Sequence, residues 1–267
     1  MTPGSRWLVS HPACGSKRGQ LFCCSHAGVS AAVFRGWRNC LPPGIETCAI
    51  QLPGRMERFR ERPLARMDEL IAALIQAIDD RLDVPYVIFG HCTGALTAFE
   101  LARALTEQGY PCPAHLIVSG SRAPHQQPES MLHDQPDEQL MDYLAKNDDA
   151  VLNIVSKPHL TAILLTAFRA DLELAENYCY HGRKLFTGPL TVLAGRDDSH
   201  MDSVTREAWR QISGGSFTLM EIDGAHNLFA GCSASLMSAV CTVLDQALPA
   251  AALQPIQSDS ITPLLKG

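Results

Sequence analysis

Several things are scarce in this 267-residue chain, and each scarcity removes a class of function. There is no long basic run, and 22 Lys and Arg against 28 Asp and Glu leave a formal charge of −6 and a pI near 5.9. A nucleic-acid backbone needs a clustered positive surface, so nucleic-acid binding is not expected. No apolar run approaches the roughly 20 residues that span a bilayer. The segment Met1 to Ser10 holds only a three-residue apolar run, shorter than the apolar core of a secretory signal, which is about 7 to 15 residues. A soluble, cytoplasmic protein without membrane contact is the expectation. The ten cysteines are scattered, with only Cys23 and Cys24 adjacent and no CxxC pair, so neither a zinc site nor a thioredoxin-type site is indicated. Most of these thiols read as small buried residues in a reducing compartment. Internal repeats and low-complexity linkers are also missing.

What is present is a 46% hydrophobic chain, enough for one sizeable core. Short apolar runs bounded by Gly, Pro or Ser read as strands at Gln20 to Cys24, Ile45 to Gln51, Tyr86 to Gly90, His115 to Ser119, Leu190 to Gly195 and Phe217 to Ile222. Helical patterns lie between them. Leu64, Met67, Leu70, Ile71, Leu74, Ile75, Ile78 and Leu82 share one face of a helix of about five turns. Alternating strands and helices imply an α/β fold with a mostly parallel sheet covered on both faces. From Ala123 to about Lys184 the alternation stops, leaving Asp137 to Lys146 and Pro158 to Tyr180 as helical stretches. That insertion reads as a helical lid; an ordinary pair of packing helices is the alternative. The domain is expected to cover 1–248, with 249–267 a flexible tail lacking periodicity.

The motif with most chemical content is Gly90-His91-Cys92-Thr93-Gly94. It joins the run ending at Phe89 to a helix-like segment from Ala95, which is the setting of a nucleophile elbow. Glycines permit the tight turn, and the central side chain is pushed out at its tip. Here that side chain is the thiol of Cys92, which a neighbouring imidazolium or helix N-terminus would make a better nucleophile. In the α/β-hydrolase arrangement the acid and then the histidine follow the nucleophile in the chain. Gly195-Arg196-Asp197-Asp198 follows one strand and Asp223-Gly224-Ala225-His226 follows the last. Asp198 is read as the acid, with Asp197 its competitor, and His226 as the base. His91 beside the nucleophile, His200 two residues past the acid, and His11 in an irregular N-terminal segment fit less well. An attacked carbonyl also needs two backbone donors for its oxyanion. Thr93 at the helix start supplies one, and Ala27 in Ser25-His26-Ala27-Gly28 the other, unless that segment is a simple turn.

With these residues in view, the chain resembles the type II thioesterases that accompany nonribosomal peptide and polyketide synthases. The likeness rests on Leu21 to Gly28, on Gln51-Leu52-Pro53-Gly54-Arg55, on the elbow with Ala95 to Ala102, on Ser119-Gly120-Ser121-Arg122-Ala123-Pro124, and on Gly224-Ala225-His226. It implies an α/β-hydrolase with a Cys92, Asp198 and His226 triad, Ala27 and Thr93 as oxyanion donors, and no metal or organic cofactor. It further implies substrates held as thioesters on the phosphopantetheine arms of acyl or peptidyl carrier protein domains, which would be the partners. Cys92 departs from the family's usual serine; Ser25 and Val29 depart from an expected proline and second glycine.

The thiol widens the chemistry. An acyl-cysteine is itself a thioester, so transfer to another thiol is nearly thermoneutral, whereas an acyl-serine lies downhill. Hydrolysis is the first expectation and acyl or aminoacyl transfer between carriers the alternative, by the further likeness to elbow-cysteine aminoacyl transferases. Dienelactone hydrolases also use GxCxG but lack the Leu-Pro-Gly-Arg element. A carrier-binding protein without turnover is the remaining alternative. Arg55, Arg58, Arg60, Arg62 and Arg66 against Glu57 and Glu61 make a local positive excess, either a carrier-docking patch or a solvated loop.

Overall fold

Strand-forming runs with Val, Ile and aromatic residues align into one seven-stranded sheet, seen in a computed structural model that describes residues 6–128, 130–147, 157–180, 182, 185–227 and 233–249. The strands are β1 (Leu8–His11), β2 (Gly19–Cys24), β3 (Ile45–Ile50), β4 (Tyr86–His91), β5 (His115–Ser119), β6 (Leu190–Gly195) and β7 (Phe217–Ile222). Their order is β1-β3-β2-β4-β5-β6-β7, parallel except for β1, which runs antiparallel along β3. The helices are α1 (Met67–Ile78), α2 (Thr93–Glu107), α3 (Asp137–Asn147), α4 (Pro158–Glu176), α5 (Ser203–Ala208) and α6 (Ala234–Ala247).

The sheet is buried on both faces because successive strand residues alternate between two cores. Phe22, Cys24, Ile88, Leu116, Val118 and Val192 pack with α1 and α2 on one side. Leu21, Cys23, Val87, Phe89, Ile117 and Leu193 pack with α6 on the other. A third apolar cluster joins Leu140 and Leu144 of α3 and Leu165, Phe168 and Leu172 of α4 to Ala27. The insertion therefore sits on the loop after β2 at the carboxyl end of the sheet. There the strand order reverses, with β2 leading to β3 on one side and β4 to β5 on the other, and such switch points are where open α/β sheets place ligands.

Four sequence expectations change. Leu8–His11 is an edge strand, so His11 ends regular structure rather than lying in an irregular segment. The amphipathic stripe is not one helix of five turns: α1 spans 12 residues and begins after the extended Arg66, while Leu82 is buried and Leu64 partly buried on its flanks. The stretch from Pro158 ends at Glu176 instead of Tyr180, because Arg122 Nη2 takes the Ala175 and Tyr178 carbonyls at 2.7 and 2.9 Å and the Tyr180 N–H turns to Pro124. Of the nine described cysteines, only Cys23, Cys24 and Cys48 are buried, and all nine are free thiols. Beyond residue 249 the expected tail lies outside the described residues, as do 148–156 within the insertion.

Candidate active site

β4 delivers Cys92 and α2 starts immediately after it. Two glycines make this possible by sterics: a Cβ on Gly90 would lie 2.2 Å from the Gly94 carbonyl oxygen, and one on Gly94 would lie 2.4 Å from those of Cys24 and Ser25. Cys92 has φ 53° and ψ −122°, a conformation costing about 1–3 kcal/mol that surrounding structure must enforce. Enforcement is visible in the Cys92 N–H bond to the Ser119 carbonyl at 2.9 Å and the Ala95 N–H bond to the Cys92 carbonyl at 3.0 Å. The residue stands at the N-cap of α2.

Residues Gly195 and Ile222 are register partners, so the loops after β6 and β7 emerge side by side. They bring Asp198 and His226 together: His226 Nδ1 lies 3.0 Å from Asp198 Oδ2 and 3.2 Å from Oδ1. The His200 N–H donates to Asp198 Oδ1 at 2.9 Å, and the carboxylate has no exposed side-chain surface. Asp197, the competitor, points to solvent, with its own N–H on the Gly224 carbonyl. His200 instead flanks the base, ring centroids 4.8 Å apart, and His91 packs inward beneath it at 5.4 Å. Burial pulls the His226 imidazole down, but its hydrogen bonds to Asp198 and Cys92 and the charges of both prevail and raise it to about 10. Burial pushes Asp198 up, and the His226 hydrogen bond and charge outweigh it, leaving the carboxyl below its ordinary value.

Cys24 and Gly90 are register partners, so the loop after β2 lies against the elbow. The Ser25 Oγ–H donates to the Val29 carbonyl at 3.0 Å: the two residues that depart from the family's pattern close the loop on each other. Ala27 is buried and lines the same cavity as Cys92. The neighbouring Gly28 N–H is taken by Asp171 at 2.7 Å. Thr93 presents its N–H from the first turn of α2.

The cavity measures about 470 Å³, within the usual range for small-molecule sites. Its floor is Cys92, His226 and the His26–Ser30 loop; its roof is Tyr143 and Leu144 of α3 with Ile163, Leu164, Phe168 and Leu172 of α4. The roof is almost wholly apolar and suits an acyl chain. Tyr143, which sequence reasoning did not single out, reaches the catalytic end: burial, then the charges of Cys92 and Asp198, raise its hydroxyl above the ordinary tyrosine value. Asp171 was also missed, because nothing local marks a carboxylate inside an apolar helix as a partner of residues far away in the chain. Among the described residues no group of three or more His, Cys, Asp and Glu side chains is placed to hold a metal ion. No described helix is long and apolar enough to cross a membrane.

The positive stretch resolves unevenly. Arg55 and Arg58 are buried, the first on Asp171 and the second on Glu61 with its guanidinium 4.0 Å from the centre of the Trp7 ring. Arg66 pairs with Asp68 and Glu69. Only Arg60 and Arg62 remain exposed without an ion-pair partner among the described residues.

Comparison with known proteins agrees with this arrangement. The family model "Thioesterase domain" matches residues 19–244. Gramicidin S biosynthesis protein GrsT of Aneurinibacillus migulanus is 32% identical over 224 residues, 83% of this chain and 87% of that protein. Thioesterase PikA5 of Streptomyces venezuelae is 31% identical over 81% of this chain and 77% of its own length. The solved structure of the type II thioesterase BorB from the borrelidin biosynthetic cluster superposes with a TM-score of 0.79 at 32% identity, covering 89% of this chain and 97% of that one. An α/β-hydrolase sheet with this lid, this match along most of its length and these relatives make the chain a member of the thioesterase domain family, akin to the type II thioesterases of nonribosomal peptide and polyketide synthase pathways.

Proposed function

We propose that this thioesterase hydrolyses acyl or aminoacyl thioesters carried on the phosphopantetheine arms of synthase carrier domains, with Cys92 as nucleophile, His226 as acid and base, and Asp198 orienting the imidazole. The observation that carries this reading is the continuous contact from Asp198 through His226 to Cys92 at the floor of an apolar cavity. The Cys92 thiol gives its proton to His226 as its sulfur attacks the thioester carbonyl, whose π electrons move to oxygen and are held by the Ala27 and Thr93 N–H groups. Collapse breaks the bond to the pantetheine sulfur, which leaves with the proton of His226. His226 then takes a proton from water as the water attacks the acyl-cysteine. Collapse of the second tetrahedral species breaks the carbon–sulfur bond to Cys92, His226 returns the proton to that sulfur, and the acid departs.

A second reading, transfer of the acyl group to another carrier thiol, is favoured by the sulfur at position 92. It needs only that a thiol enter where water does, with His226 accepting its proton. Intact-protein mass spectrometry of the enzyme with an acylated carrier, with and without a second holo-carrier, separates the two. Free acid forming at one rate in both mixtures supports hydrolysis; acyl mass reaching the second carrier faster than acid forms supports transfer. Cys92→Ala is expected to form no acyl adduct, and His226→Ala to lose turnover by orders of magnitude. A labelled adduct on Cys92→Ala would remove the nucleophile assignment, near-normal turnover of His226→Ala would place the base elsewhere, and no turnover by the unaltered protein on any acylated carrier it binds would leave a carrier-binding protein as the reading.

A further inference from the structure

α4 of the lid buries two carboxylates, Glu176 at its end against Leu132 and His133, and Asp171 within it, on which three donors converge. Arg55 Nη1 and Nη2 meet Asp171 Oδ2 and Oδ1 at 2.7 and 2.8 Å, and the Gly28 N–H meets Oδ2 at 2.7 Å. Arg55 also donates to the Val29 carbonyl at 3.2 Å and to that of Pro53 at 3.3 Å. Both side chains are buried. Replacing a buried pair of this kind by apolar residues would often stabilise a protein, so its presence calls for a role other than stability. Its location supplies one, because Gly28 and Val29 follow the Ala27 amide directly. Holding the Gly28 N–H fixes the peptide plane next to the donor, and holding the Val29 carbonyl fixes the loop's far side. Gly28 adopts φ 75°, and a Cβ there would touch Phe168 and Leu164 of the same helix at 3.2 and 3.4 Å, so α4 packs close against the loop.

We propose that Asp171 and Arg55 are positioning residues that lock the oxyanion loop to lid helix α4, so that the Ala27 N–H is aimed at the reacting carbonyl only while α4 is seated. The inference rests on the reading of Cys92 as nucleophile and Ala27 as oxyanion donor. It makes lid seating and completion of the oxyanion hole one event: a substrate that fills the cavity and holds α4 down also sharpens the electrostatics that act on it. Arginine is required because only its planar fork serves both carboxylate oxygens and a loop carbonyl.

The test compares two reactions of the same sulfur in Asp171→Asn and Arg55→Lys proteins. Acylation of Cys92 by an acyl-pantetheine thioester creates an oxyanion; alkylation of Cys92 by iodoacetamide, followed at its own peptide by mass spectrometry, does not. The expected result in both variants is a fall of about tenfold or more in single-turnover acylation, with KM within about threefold and alkylation within about twofold. Acylation unchanged in a folded variant, or acylation and alkylation falling by the same factor, overturns the proposal. Asn keeps the shape of Asp171 and Lys keeps the charge of Arg55, so either variant decides the matter if the other does not fold. Failure of the underlying reading has a separate signature, acyl label persisting on Cys92→Ala protein; loss of that label with normal Asp171→Asn kinetics defeats the clamp alone.

Discussion

Position 92 combines a backbone that few residues adopt with a thiol side chain at the tip of the elbow. The φ of 53° is dictated by the turn from β4 into α2, and it would be the same for serine, which differs from cysteine by one atom. The elbow should therefore accept Cys92→Ser without rearrangement, and any change in activity reports chemistry and not folding. Acylation of a serine yields an oxygen ester, lower in energy than the thioester it came from, so return of the acyl group to a carrier thiol becomes uphill while hydrolysis stays downhill. The serine variant is expected to lose acyl transfer between carriers by at least about tenfold relative to hydrolysis, for a free-energy difference above about 1.4 kcal/mol. Partition of label between acid and second carrier is the measurement. Equal partition in both proteins would mean that the acceptor, not the nucleophile, sets the outcome. Cys92, Asp198 and His226 were legible because strand ends, chain order and residue type converge on them. The pairing of Ser25 with Val29 was not, since two departures from a pattern reveal their mutual contact only when the loop closes.

At the scale of elements, the elbow and the oxyanion loop are held together by the close approach of α2 to the end of β2. Gly94 is the contact point. A methyl group there would meet two backbone oxygens at 2.4 Å, those of Cys24 and Ser25, and backbone cannot swing aside as a side chain can. Gly94→Ala is expected to cost about 1–3 kcal/mol and to lower turnover by more than its stability loss explains, because the displaced segment bears Ala27. Gly109, at φ 84° with open space around its Cβ position, is the control: Gly109→Ala should cost only about 1–2 kcal/mol of left-handed strain and leave turnover intact. Melting curves with steady-state assays check both, and equal activity losses in the two variants would refute the special role of Gly94. The same scale shows where sequence reading ran out. Periodicity located the core face of α1 but not its ends, because Leu64 and Leu82 are apolar for the same reason as the helix residues between them. Arg55 read as part of a surface charge run because its partner Asp171 is 116 residues away. β1 went unseen because a four-residue edge strand carries too little pattern.

For the whole molecule, His26, His91 and His115 on one side and His226 on the other have opposite linkage to folding. Burial, aided by the His226 charge, lowers His26 to about 4; burial alone lowers His115 to about 4; and burial with the His226 and His26 charges holds His91 well below 6.5. In the unfolded chain these rings take up protons near 6.5, before the folded protein can. The unfolded state then binds more protons, so stability declines as pH falls from about 6.5 toward 4. Asp198, held below its ordinary value, adds to the same decline at its acidic end. His226 works the other way: its folded value of about 10 lies above 6.5, so its contribution is complete below 6.5 and fades as pH rises toward 10. Stability should therefore peak near neutrality and decline on both sides. Denaturant midpoints measured from pH 4.5 to 10 test this, and His226→Ala should flatten the alkaline side between about 6.5 and 9, above which the raised Cys24 and Cys48 thiols also act, and should soften the acid side, because the His226 charge helps lower His26 and His91 and its hydrogen bond lowers Asp198. Midpoints rising steadily from pH 6.5 to 4.5 would contradict the buried neutral histidines. The Asp198–His226–Cys92 cluster would on this account begin the alkaline decline of the fold, because its imidazole is the one whose charge Asp198 and Cys92 stabilise in the folded state.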